Sequence, residues 1–183
     1  MWLKEVTLQT AGISSLKNFY GNTLGLEAGE MKQSILIHTP QPQLFFEETK
    51  SIIEPFYHFA FNIPFNKVEE AEAWLKNRVE LIWLEDYQSY IAEFINWNAR
   101  SLYFFDPAGN IVELIGRRDL NDFTEEPFSS NHIRNISEIG LVLPKIYFEE
   151  EIRQIMEHHR LLYFSRQKPA KHFCALGDDQ GLF

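Results

Sequence analysis

Ser101-Leu102-Tyr103-Phe104-Phe105-Asp106-Pro107-Ala108-Gly109-Asn110-Ile111-Val112-Glu113-Leu114-Ile115-Gly116 holds two apolar runs on either side of a short polar break. Pro107 and Gly109 suit the tight geometry of a turn, so Ser101–Phe105 and Asn110–Ile115 read as the two strands of a hairpin. Glu113 stands between Val112 and Leu114, a costly place for a carboxylate unless it is paired or ligated. Upstream, Phe56–Ile63 alternates cleanly, with Tyr57, Phe59, Phe61 and Ile63 on one face and His58, Ala60 and Asn62 on the other. Pro64 ends that strand. Asn66 with Glu69 three residues on resembles a capping box, and Val68, Ala71 and Leu75 mark the buried stripe of a helix running to about Arg78. Leu81–Leu84 is a further strand, and the aromatic-rich stretch Glu85–Asn98 reads as a loop with a short helix. Residues 55–118 thus form a β-α-β-β-β unit.

The same order occurs twice more. Trp2–Thr10 is a strand with Glu5, Thr7 and Gln9 on one face. A helix follows, capped by Ser14 or Ser15 and carrying Ile13, Leu16, Phe19 or Tyr20, and Leu24 at helical spacing. Short strands Gln33–Thr39 and Gln43–Glu48 flank a Pro40-Gln41-Pro42 turn, and one more fits Leu26–Met31, which closes a module over about 1–50. Residues 119–134, polar and containing Pro and Ser, read as a linker. Beyond it, strand Ser137–Leu143, helix Phe148–His159 and strands Leu161–Phe164 and Phe173–Leu176 make an incomplete third βαβ-type module over 135–183. Glu5-Val6-Thr7-Leu8, His58-Phe59-Ala60-Phe61 and Glu138-Ile139-Gly140-Leu141 align, each opened by an ionisable residue. A wet outer face explains that alternation alone. Two such units curled with their polar faces together would bring Glu5, His58 and Glu113 to one cavity. The expected fold is α+β: paired βαβββ modules in a cupped mixed β-sheet with helices on the outside, plus a partial third module. An exposed edge on that third module should dock on the first two or pair with a second chain, a homodimer.

Composition narrows the function. The chain has 183 residues, 17 Lys+Arg against 26 Asp+Glu, a net charge of −9 and 45% hydrophobic residues. That is enough apolar material for a real core, and the acidic balance without a basic cluster argues against nucleic acid as partner. One cysteine, Cys174, allows neither an internal disulfide nor a cysteine zinc site and fits a cytoplasmic setting. MWLKEVTLQT lacks the form of a secretion signal, and no apolar run approaches the ~20 residues of a membrane span.

The hairpin 101–116 closely resembles the closing hairpin of the vicinal oxygen chelate superfamily, which includes glyoxalase I, extradiol dioxygenases and the bleomycin and fosfomycin resistance proteins. Val6-Thr7-Leu8-Gln9, followed by Ser15-Leu16-Lys17-Asn18-Phe19-Tyr20 and Thr23-Leu24-Gly25-Leu26, is similar to that family's opening strand and helix. With His58–Phe61 the resemblance covers about residues 3–117. It implies a divalent metal ion (Fe, Mn, Ni, Co or Zn) held by the first and last strand of each module. Carried over residue by residue, those strands give Glu5, Phe46, His58 and Glu113. Phe46 cannot ligate, and the neighbouring Glu47 points the opposite way, so the expected ligands are Glu5, His58 and Glu113, a facial set with open positions. Glu113 and Tyr103 are the expected catalytic residues, and Thr7, Gln9 and Asn62 the expected cavity lining. Glu138 fills the matching slot of the third copy but, without a paired half, reads as structural. Trp83, Tyr87, Tyr90, Phe94 and Trp97 read as packing, or as a cap over an apolar substrate. The resemblance implies a metal-dependent enzyme acting on a small substrate with vicinal oxygens, either an isomerase or lyase or a ring-cleaving dioxygenase. The alternative is a non-catalytic, antibiotic-sequestering type of binding protein on the same fold.

Overall fold

The computed structural model describes residues 3–40, 43–51 and 55–183. Trp2 and the Gln41-Pro42 part of the expected turn lie outside them. The first module contributes β1 (Glu5–Thr10), α1 (Ile13–Asn18), β2 (Ala28–Met31), β3 (Ser34–Ile37) and β4 (Gln43–Glu48). These strands form a four-stranded sheet of order β1-β4-β3-β2, in which β1 runs parallel to β4. The second module repeats it with β5 (His58–Ile63), α2 (Val68–Lys76), β6 (Ala92–Phe94), β7 (Ala99–Phe105) and β8 (Ile111–Arg117). Here β5 runs parallel to β8. The third supplies β9 (Ile136–Gly140), α3 (Phe148–His159), β10 (Gly177–Asp178) and β11 (Gly181–Leu182). The last two modules share one seven-stranded mixed sheet of order β10-β11-β9-β5-β8-β7-β6, so the molecule is α+β with a cupped sheet and a second, separate one.

Alternation decides what each sheet buries. On β1, Val6, Leu8 and Thr10 are buried while Glu5, Thr7 and Gln9 are exposed, the signature of a sheet with one wet face. On β5 and β8 nearly every residue is buried, because both faces are covered. Phe59, Phe61, Val112 and Leu114 pack with Val68, Ala71 and Leu75 of α2, and this core runs on without a break into Val6, Leu8 and Phe46 of the first sheet. Phe46 lies 6.3 Å from Phe59 and stacks on Tyr20 at 5.6 Å. On the opposite face of the large sheet, Ala60, Ala99 and Ile115 form a smaller cluster under Phe94 and Trp97, and the short alanine side chains leave space above them.

The hairpin turn explains its own sequence. Asp106 Oδ1 accepts the backbone N–H groups of Ala108 (2.9 Å) and Asn110 (3.0 Å), while Oδ2 accepts the Asn110 amide (2.8 Å) and the Tyr20 hydroxyl (2.9 Å). Gly109 sits at φ +78, where a Cβ would be strained. The turn therefore closes the β7–β8 hairpin and also anchors the first module to the second across 86 residues.

Several local expectations are corrected. Asn66 does not cap α2: its side chain donates to the Thr124 carbonyl at 2.8 Å and accepts the Thr124 N–H at 3.2 Å, while Glu69 pairs with Arg100. Long-range partners here outcompete the local cap. Neither Ser14 nor Ser15 caps α1, whose N-cap is Gly12; Ser15 Oγ donates to the Gly12 carbonyl instead. Leu81–Leu84 makes only isolated bridges, Leu81 to Phe104 and Leu84 to Ser89. Likewise 161–164 and 173–176 meet in a single bridge, Tyr163 to Leu176, and the regular strands lie further on, at β10 and β11. Residues 119–134 pack against the second module: Phe128 lies edge-on to Trp74 at 5.5 Å, and Phe65 N–H donates to the Asp122 carbonyl.

Candidate metal centre

Three neighbouring strands, β9, β5 and β8, build the floor of the cup. Ala60 in the middle of β5 is paired with Glu113 of β8 on one side and with Glu138 of β9 on the other. His58 lies two residues before Ala60 and so points from the same face. The two carboxylates thus flank a methyl group, which leaves them room to lean together over β5, with the imidazole beside them. One donor atom from each of His58, Glu113 and Glu138 lies within 4.8 Å of the other two.

Partners orient each group. His58 Nδ1 is 3.2 Å from the Ile111 carbonyl, and Nε2 is 3.2 Å from Glu113 Oε2. With Nδ1–H fixed on a backbone carbonyl, Nε2 is the nitrogen turned to the cluster, the arrangement commonly seen in histidines that bind metals. Burial works against its charge, but the hydrogen bond and charge of Glu113 outweigh burial and hold His58 above its usual range. Glu113 is almost wholly buried. Glu138 is held above the ordinary carboxylate range by burial first and by the nearby charge of Glu113 second, with Arg117 opposing both. Tyr103, paired across the hairpin with Glu113, is pushed up by burial and by that same charge, so it keeps its proton and donates.

A cavity of about 300 Å³ opens above the three donors. Phe94, Trp97, Tyr103, Phe173 and Phe183 supply its apolar walls. That volume is at the small end of ligand pockets and suits a small molecule. Trp97 is steadied by its indole N–H on Gln167 Oε1 (3.2 Å) and by edge-on contact with Phe164 at 5.0 Å.

The structure brings His58, Glu113 and Tyr103 together at this cavity, and leaves Glu5, Thr7, Gln9 and Asn62 elsewhere. Glu5, Thr7 and Gln9 lie exposed on β1, in the other sheet. The reason is topological: the outer edge of β5 is taken by β9, not by β1, so Glu138 fills the place expected of Glu5. The third module lacks a paired half of its own, which makes Glu138 look structural in the sequence; β5 and β8 are that half. Asn62 does not line the cavity: it is buried beneath it and accepts a hydrogen bond from Arg117. Phe46 points into the core, and the residue across from Thr7, as Glu113 is across from Ala60, is Phe45. Phe94 and Trp97 do reach the cavity, whereas Trp83 packs against Tyr90 at 5.0 Å on another surface. Sequence reading missed Phe173, Phe183 and Arg117, and only the three-way alignment of strand openings carried a signal for Glu138.

No protein-family model matches the sequence, and no curated protein matches it. Solved structures do. A glyoxalase/bleomycin resistance protein/dioxygenase from Nocardioides matches with TM-score 0.52 at 20% identity, over 64% of this chain and 83% of that one. A lactoylglutathione lyase from Agrobacterium tumefaciens matches with TM-score 0.50 at 19% identity, over 62% and 92%. The oxidase ChaP-H2 matches with TM-score 0.50 at 21% identity, over 64% and 94%. Together with the repeated modules and their parallel first and last strands, these matches give the chain the fold of the vicinal oxygen chelate superfamily.

Proposed function

We propose that the chain is a divalent-metal-dependent enzyme acting on a small substrate with two adjacent oxygens, by isomerase, lyase or ring-cleaving dioxygenase chemistry. His58, Glu113 and Glu138 would hold the ion. The observation that carries the reading is convergence: one donor atom from each of an imidazole and two carboxylates lies within 4.8 Å of the other two at the floor of an apolar cavity. Two carboxylates brought this close repel one another, and a divalent cation between them relieves that repulsion. The donor set of one nitrogen and two oxygens suits Fe, Mn, Co, Ni or Zn. Bound there, such an ion would supply Lewis acidity toward a two-oxygen ligand.

The chain's own groups do the rest. Tyr103 offers a hydroxyl that stays protonated and donates to a substrate oxygen. Glu113 is the carboxylate free to exchange a proton with the substrate, since Glu138 is engaged by Arg117. The aromatic walls keep water from the reacting atoms. The single thiol, Cys174, supports a cytoplasmic setting, and the fit is to a small molecule rather than to a macromolecule.

Elemental analysis of protein purified without an affinity metal tests this, with His58→Ala and Glu113→Gln beside the parent. About one transition-metal ion per chain in the parent, lost in both variants, is the expected result. A parent that stays metal-free after incubation with Mn, Fe, Co, Ni and Zn would overturn the reading.

A further inference from the structure

The second and third modules hold their helices differently. Val68, Ala71 and Leu75 of α2 are 0% exposed, whereas of Phe148, Ile152 and Ile155 on α3 only Ile152, at 8%, is buried. A gap accounts for this. A second cavity, of about 120 Å³, lies under α3 and is walled by Leu141, Leu143, Phe148, Ile152, Ile155 and Leu176, with His172 and Cys174 as its polar side chains. An apolar helix face left against empty space forfeits the contacts that a packed core makes.

The gap adjoins the cavity over the candidate metal centre, because Gly140, Phe173 and Phe183 line both. Gly140 brings no side chain to that partition, and Phe173 is 52% exposed, so one of the two rings that separate the cavities is loosely packed. Size and chemistry limit what fits beyond them. The space is smaller than the ~150 Å³ apolar cavity that takes up a benzene ring, and its wall is almost wholly apolar. A short hydrocarbon chain suits it, and a ring or a charged group does not. Nor is it a surface for another protein: α3 roofs the gap and turns Glu149, Arg153 and Glu157 to solvent.

We propose that the two cavities are the two ends of one binding site, in which the gap under α3 receives the unbranched aliphatic tail of the ligand whose head lies over His58, Glu113 and Glu138. The inference rests on reading the larger cavity as the place of the ligand's head, as above, and not on the metal itself.

Straight-chain 1-alkanols from butanol to decanol, titrated into protein stripped of metal with a chelator, test it. Two signals read the two ends. Cys174, the single thiol, reports on the gap through its rate of alkylation by iodoacetamide, and Trp97 reports on the larger cavity through the fluorescence lost in Trp97→Phe. Octanol should slow the alkylation and shift the Trp97 emission with the same midpoint, and affinity should rise about three- to fourfold per added methylene from butanol upward. Ile155→Phe fills the gap from a half-buried position outside the larger cavity, and should weaken octanol by about tenfold. Affinity that does not depend on chain length, two signals with different midpoints, or a folded Ile155→Phe that keeps the parent's octanol affinity each overturns the inference. If Ile155→Phe does not fold, the two midpoints in the parent decide. Coincident midpoints in a parent that takes up no transition metal would overturn the metal reading and support this one.

Discussion

The first and second modules have the same strand order and the same parallel pairing of first with last strand, yet among the described residues the cluster of ligating side chains forms at the second, beside β9, and not at the first. Glu5 stands where His58 does, and Phe45 stands where Glu113 does, opposite Thr7 as Glu113 is opposite Ala60. The decisive difference is at the outer edge of the first strand. β5 is joined there by β9, while β1 has β4 on one side and, among the described residues, is an edge strand on the other. The three ligating side chains converge where two modules are joined through their first strands, β5 and β9.

The largest expected effect separates the two faces of the first sheet. Phe46 is wholly buried among Tyr20 and Phe59, so Phe46→Ala should lower stability by about 3–5 kcal/mol. Phe45, half-buried on the open face, should lose no more than about 1 kcal/mol when cut to alanine. Because both modules share one core, urea unfolding of either variant should remain a single transition. A biphasic curve for Phe46→Ala would show that the modules fold independently and that the shared core is not cooperative.

A smaller effect should come from the seam between β5 and β9. Gly140 faces His58, and a Cβ there would meet His58 Cβ at 3.2 Å and Cδ2 at 3.5 Å. Gly140→Val should therefore displace the imidazole and weaken metal binding by about 10–100-fold, measured by competition with a chromophoric chelator. Unchanged affinity would mean that β9 does not set the position of His58.

Much of this contrast was legible in the sequence, and the part that was not has a common cause. The hairpin 101–116, the α2 stripe and the faces of β1 and β5 follow from spacing between near neighbours. Which strand becomes the neighbour of β5 does not, since the segments that begin at Glu5 and at Glu138 align equally well with the one that begins at His58. β10 and β11, two residues each, are too short to show a period. Arg117, at the last position of a strand, has the look of a surface residue, and only the assembled sheet buries it with Asn62 and Glu138.

The smallest expected effect is the sharpest test of the comparison. Phe45→Glu puts a carboxylate where the second module has Glu113, on the same face as Glu5 and one strand away. If ligand type alone made a site, this chain should then bind a second metal ion. Among the described residues, however, no strand lies beyond β1 to supply what β9 supplies through Glu138, so metal content should stay at about one ion per chain. Stability should shift by no more than about 0.5–1 kcal/mol, because residue 45 is on the open face. A second equivalent of metal would show that the β1 edge is completed in solution, and the molecular mass from light scattering would then distinguish a β1-to-β1 homodimer from a rearrangement within one chain.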